Sequence, residues 1–200
     1  MLPTDAFRAG LASPICLTWE LTYACNLACA HCLSSSGRRR AGELNTAQAR
    51  ALIDEWAAMR VFYLNVGGGE PMLRSDFFEI VEHAVASRVG INFSTNGTRI
   101  DAAAARRLAA LPYLDLQVSL DGATATANDA LRGSGSFHAA LRAMGYLADA
   151  GFREFKVSTV VTRANVPHLD AFLALADRFG ARLRLARLRP SGRAGDVWDD

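Results

Sequence analysis

Six short β-rich segments alternate with helix-like segments along almost the whole 200-residue chain. The strand-like runs are residues 15–20, 61–66, 91–94, 114–120, 155–161 and 182–188. The helix-like runs between them are 46–59, 76–87, 101–110, 137–150 and 167–179. Apolar residues recur at helical spacing in them, as in Ala49, Leu52, Ile53 and Trp56, or Phe77, Ile80, Val81, Ala84 and Val85. Asn45 with Gln48 reads as a capping box, and Ser75 as the cap of the second helix. Pro167 suits a first turn, and Gly151 a helix stop. Six strands and five helices in strict alternation predict an α/β fold with a parallel sheet.

The strands carry a second pattern. Buried parallel strands usually read as continuously apolar. Here polar residues recur with period two: Thr18 and Glu20; Asn92, Ser94 and Asn96; Gln117, Ser119 and Asp121; Lys156 and Ser158. Period two puts each set on one side of its strand, with Leu116, Val118 and Leu120 on the other. Burying an unpartnered polar group costs roughly 1–3 kcal/mol. Several strands therefore face a wet or ligand-filled space. A partial barrel with an open lumen fits this better than a doubly wound sheet or the packed interior of an eight-stranded barrel.

Half the residues are apolar and the formal charge is +2, so nothing points to disorder or to nucleic acid. Arg38-Arg39-Arg40 is the one sharp basic run; it reads as a solvated loop or as a greeting for an acidic group. The first residues lack a signal-peptide pattern, and no run approaches 18 apolar residues, so a membrane partner is not expected. Reduced cytoplasm is the expected compartment.

Three of the four cysteines fall within eight positions, as Cys25-x-x-x-Cys29-x-x-Cys32. A structural zinc site or a fully ligated cubane wants four protein ligands. Three on a loop directly after the first strand suit a [4Fe–4S] cluster with one iron left open. Cys16 lies in the first strand and reads as a small buried hydrophobe. His83, His138 and His168 have no converging partners and read as surface or packing residues.

These cysteines, with Gly67-Gly-Gly-Glu-Pro71, Ser94-Thr-Asn-Gly97 and Ser119-Leu-Asp-Gly122, resemble the radical S-adenosylmethionine (SAM) superfamily. The strings from Glu20 to Gly37 and from Arg187 to Gly192 resemble its peptide-modifying branch, and within it the mycofactocin-maturase family. The resemblance implies a (β/α)6 partial TIM barrel that holds a [4Fe–4S] cluster on Cys25, Cys29 and Cys32 and SAM on the open iron. One electron then cleaves SAM, and the 5′-deoxyadenosyl radical takes a hydrogen atom from the substrate. Gly68, Gly69, Glu70 and Pro71 would hold the SAM amino group, Glu70 through its side chain. Ser94 and Asn96 would touch SAM or substrate, unless Asn96-Gly97 is only a turn. Ser119 and Asp121 would bind ribose hydroxyls or the methionine carboxylate, although Asp121-Gly122 also fits a strand-ending turn. Arg132 would pair with that carboxylate or sit on the surface of a Gly/Ser loop. Ser158 would touch SAM, and Leu188 would pack on adenine. Asn165 would touch SAM or cap a helix, and Arg187 and Arg189 would point to substrate or to a further domain. His31 would pack beside the cluster, and Asn26 would donate to cluster sulfur or cap the loop.

The implied substrate is a small precursor peptide, decarboxylated at a C-terminal tyrosine and crosslinked to the neighbouring valine. The implied partners are a peptide-binding chaperone and an electron donor such as flavodoxin or ferredoxin. A small-molecule or tetrapyrrole substrate, and a non-catalytic iron–sulfur or peptide-binding remnant, are the alternatives. The expected organisation is an N-terminal extension over 1–14 and a core over 15–200. The C-terminal auxiliary-cluster domain of that branch is expected to be missing, through truncation or a shortened gene model.

Overall fold

The computed structural model describes residues 13–153 and 155–196. The expectations for the first twelve residues and for residues 197–200 fall outside them. The strands are β1 (Cys16–Thr22), β2 (Tyr63–Gly68), β3 (Gly90–Thr95), β4 (Leu114–Ser119), β5 (Lys156–Val161) and β6 (Arg182–Arg187). They form one parallel sheet in sequence order, β1 to β6, that stays open between its two edges.

The described helices are α1 (Thr46–Ala58), α2 (Phe77–Ala86), α3 (Ala102–Ala109), α4 (Ala125–Arg132), α5 (Ser136–Asp149) and α6 (Leu169–Arg178). The sequence reading had five, because α4 is short and polar. Only Asn128 of α4 is buried. Arg132 consequently ends a helix instead of lying in a loop. The Asn45–Gln48 capping box is formed. Ser75 is not a cap: Asp76 holds that position and makes no side-chain cap bond, because its carboxylate is taken by Arg74 and Thr46. Pro167 lies in a short 3₁₀ turn, Val166–His168, ahead of α6. Gly151 follows α5 in the left-handed region at φ +76°.

The apolar residues of the strands face the helices. Leu64, Val66, Ile91, Phe93, Leu116, Val118 and Val157 are buried with Ile53, Phe77, Ile80, Leu108, Met144 and Phe172. The Phe77 and Phe93 rings, 5.2 Å apart, join α2 to β3; truncating such a buried ring to alanine costs about 3–5 kcal/mol. The opposite face of the sheet is polar. Pairing aligns Thr18, Asn65, Asn92 and Asp115 in one layer, then Gln117, Lys156 and Arg182, then Ser119, Ser158 and Arg184. Cys16 belongs to this face and is exposed, contrary to the expected buried position, because Leu17 and Trp19 take the core side of β1.

Candidate functional site

The two cavities of the lumen differ in chemistry. The larger, about 690 Å³, opens at the N-terminal ends of the strands between Phe62, Tyr63, Tyr113 and Lys156. Arg88 and Lys156 are its cations, and Lys156 is paired with Asp115. The smaller, about 340 Å³, lies under the strand C-termini and is lined by Cys25, Cys29 and Cys32. Chemistry belongs there, where loops from successive strands converge.

The cysteine loop is stitched to its surroundings by backbone. Cys25 N–H donates to Gly37 O, and Ala30 N–H to Leu131 O at the end of α4. The segment after β6 returns across the mouth: Arg193 gives its N–H to Cys32 O at 3.0 Å, its Nε to Cys29 O at 2.8 Å and its Nη1 to Ser36 O at 3.0 Å. Gly192 is at φ +60°, and a Cβ there would come within 2.5 Å of the Cys32 and Leu33 carbonyls. Only glycine permits that approach. The sequence reading gave no role to Arg193; its partners lie about 160 positions back, beyond any local signal.

The three thiols are free and partly exposed to the cavity. Burial pushes Cys25 and Cys29 up. Burial acts on Cys32 too, but the Ser36 N–H, Ser34 and Arg193 outweigh it and hold that thiol below its ordinary range. No three His, Cys, Asp or Glu side chains among the described residues converge as ligands of one ion would. A cubane places each thiolate on a different iron, so separated soft donors around one cavity fit it.

The glycine turn after β2 rests on the cysteine loop. Gly69 N–H donates to Thr22 O and Glu70 N–H to Ala24 O. Added Cβ atoms on Gly68 and Gly69 would fall 2.3 Å from Thr22 O and 2.0 Å from Ala24 O. Both glycines line the cavity. Glu70 is not among the lining residues. Glu70 is 1% exposed and accepts from Met72 N–H, Thr95 Oγ1 and Asn96 N–H. Burial still raises its carboxyl to about 6. Pro71, also buried, opens the turn that Glu70 caps.

Ser94, Asn96, Ser119 and Arg132 line the cavity. Asn96 exchanges bonds with the cysteine loop, Nδ2 donating to Asn26 Oδ1 at 2.9 Å, while Asn26 Nδ2 donates to Thr98 Oγ1. Asn26 thus braces the loop. Asp121 is 1% exposed and lies behind the wall; its Oδ2 meets His31 Nε2 at 2.8 Å and Arg132 Nε at 2.5 Å. Its Oδ1 accepts from Val160 N–H. Burial would raise this carboxyl, but Arg132, His31 and that N–H hold it at about 2. Asp121 holds His31 and Arg132, both of which line the cavity.

Ser158 and Leu188 are not among the lining residues; Ser158 accepts from Arg184, and Val160 is the β5 residue that faces the cavity. Asn165 is buried and braces β5 through Val160 O and Asp121 O, capping no helix with its side chain. Glu20, Asn65, Asn92 and Gln117 line the cavity. Glu20, Asn92 and Gln117 were legible as lumen residues from period two, but not as site residues.

The radical SAM superfamily model matches residues 19–175. The chain belongs to the radical SAM superfamily. Its relatives in sequence include mycofactocin maturase MftC of Mycolicibacterium smegmatis, 61% identical over 98% of this chain and 50% of that protein. AdoMet-dependent heme synthase of Nitratidesulfovibrio vulgaris is 37% identical over 94% of this chain and 52% of that one. The chain thus spans about half the length of the curated relatives it matches. Among solved structures, Streptococcus suis SuiB bound to S-adenosylmethionine superposes with a TM-score of 0.80 at 17% identity, over 89% of this chain and 41% of SuiB. That likeness carries the fold, an open radical SAM core. Superfamily membership brings with it a [4Fe–4S] cluster and SAM as cofactors, and the donor set of the cavity suits both.

Proposed function

We propose that this chain is the core of a peptide maturase of mycofactocin biosynthesis, with a ribosomal precursor peptide as substrate. The observation that carries the reading is 61% identity to mycofactocin maturase across a chain whose three loop thiols share one cavity. Cys25, Cys29 and Cys32 hold the cluster. Gly68, Gly69, Asn96 and Ser119 form the SAM shelf, with Arg132 presented to a carboxylate by Asp121. When bound, the two cofactors supply one-electron cleavage of SAM and removal of a hydrogen atom from substrate. The chain orients them and excludes water.

On this reading the peptide ends in Val-Tyr and undergoes oxidative decarboxylation and crosslinking. A peptide-binding chaperone presents it, and a flavodoxin or ferredoxin supplies electrons in the cytoplasm. The core covers residues 15–200. A tetrapyrrole substrate is the second reading, favoured by the 37% identity to a heme synthase.

Anaerobic reconstitution tests the cofactor part. About one [4Fe–4S] cluster per chain is expected, lost in the triple Cys25/Cys29/Cys32→Ala variant and kept in Cys16→Ala. SAM should alter the electron paramagnetic resonance signal of the reduced cluster. Paired measurement of 5′-deoxyadenosine and peptide mass then tests the substrate. SAM cleavage with tetrapyrrole turnover and no peptide product moves the assignment to the second reading.

A further inference from the structure

Four of the five buried side-chain polar atoms without a hydrogen-bond partner, among the described residues, belong to residues that line the cysteine cavity. They are Glu20 Oε2, His31 Nδ1, Asn92 Oδ1 and Gln117 Oε1. Unpartnered buried polar atoms are rare and costly, so four on one cavity mark a place where a ligand completes the bonding. Glu20, Asn92 and Gln117 sit on β1, β3 and β4, on the same face of the sheet. Between them β2 contributes Gly67, where an added Cβ would meet nothing within 4 Å. The result is a hollow in the lumen wall with acceptors around it.

The acceptor character is fixed by the neighbours. Asn92 has its Nδ2 committed to Asn65 Oδ1 at 2.9 Å, so its free end is the carbonyl oxygen. Glu20 has only oxygens to offer. Lys156, beside Gln117 in the pairing, is held by Asp115. Glu70, the other carboxylate nearby, has spent its oxygens on Met72, Thr95 and Asn96. The cations of the cavity, Arg132 and Arg193, are engaged by Asp121 and by the Cys29 and Ser36 carbonyls, so the open atoms of this wall are acceptors and draw in a hydrogen-bond donor.

We infer that Glu20 and Asn92 form a donor-binding subsite for the substrate, which takes a hydroxyl or ammonium group and refuses a carboxylate. The subsite rests on the peptide reading above, in which the tyrosine hydroxyl is the matching donor. Burial raises the Glu20 carboxyl, with Arg40 opposing, as befits a carboxylate awaiting a partner.

The test uses cluster-loaded, SAM-bound protein and two synthetic peptides, one ending Val-Tyr and one ending Val-Phe. A hydrogen bond to a charged acceptor predicts about 10- to 150-fold tighter binding of the tyrosine peptide. In Glu20→Gln that preference should fall at least about threefold, and in Glu20→Ala close to one. SAM affinity should stay within about twofold, and the ligand-free thermal midpoint should not drop, because no native partner is lost. An unchanged Tyr/Phe preference in both variants overturns the subsite while leaving the peptide reading intact. Weakened SAM binding reassigns Glu20 to the cofactor. A fallen midpoint shows that it is structural. Failure of the unsubstituted protein to bind either peptide overturns the peptide reading and the subsite with it.

Discussion

Asp121 concentrates the electrostatics of the site. One buried carboxylate holds the ring of His31 from the cysteine loop, the guanidinium of Arg132 from α4 and the amide of Val160 from β5. Its carboxyl sits at about 2 against an ordinary 3.8, so the ionised form is favoured in the fold. The contribution is therefore complete above pH 3.8 and lost as pH falls through about 2; at neutral pH it is worth about 2 kcal/mol. Asp121→Asn leaves Arg132 buried without its counter-ion. We expect a loss of about 3–5 kcal/mol at pH 7. Urea unfolding as a function of pH checks both points, since the variant should show a shallower acid limb between pH 3.8 and 2, with Glu43, Asp76 and Asp129, whose carboxyls are also held low, supplying the rest. An equal acid limb in the two proteins would place the titration elsewhere. Glu70 shows the opposite balance. Burial outweighs three donors and the charge of Arg99 and leaves its carboxyl raised, at about 6.

At the scale of elements, the cysteine loop is held both by its own backbone and by pieces of chain distant in sequence. α4 abuts it through Leu131 O and Arg132 O. The Gly192–Gly195 turn straps it through Arg193, and so spans the gap between the two unpaired edges of the sheet. The two side-chain bonds of Arg193 carry a charge and together are worth about 3 kcal/mol of local stability. Arg193→Ala should therefore speed amide exchange over residues 29–36 by about a hundredfold and hasten cluster loss to a chelator, with α2 and α5 unaffected. Gly192→Ala should do the same by steric collision. Unchanged exchange in both variants would mean the strap does not order the loop.

The whole molecule is a ring of five closed seams and one open one, with two mouths of unlike character. At the N-terminal mouth, Phe62 is 76% and Tyr113 70% exposed, around the larger cavity. These side chains contribute little packing, so Phe62→Ser should change the unfolding free energy by no more than about 0.5 kcal/mol. It should also reduce binding of an apolar dye to the ligand-free chain. A loss above about 2 kcal/mol would show that this mouth is packed in solution. The cysteine mouth carries the polar atoms left without partners, and it is there that ligands should raise stability by mass action.

The sequence determined the alternation of strands and helices, the capping box at Asn45 and the side of each strand that faces the lumen. Each depends on spacing within a few residues, where backbone geometry alone decides. It also determined the three cysteines, because one short loop carries them all. α4 escaped notice, since a helix held by Asn128, Gly122 and the cysteine loop needs little apolar face of its own. Cys16 was misplaced because its apolar neighbours Ile15 and Leu17 outweighed period two, which puts it on the lumen side with Thr18 and Glu20. The direction of the Glu70 carboxylate was beyond spacing too. Only the folded chain brings Thr95 and Asn96 to it, and only then does Glu20 remain as the acid that faces the cavity. Partner choice among buried polar groups is settled by contacts between residues far apart in sequence, such as Arg193 with Cys29 and Asp121 with His31. Period and motif carry no information about such pairs; tertiary packing alone decides them.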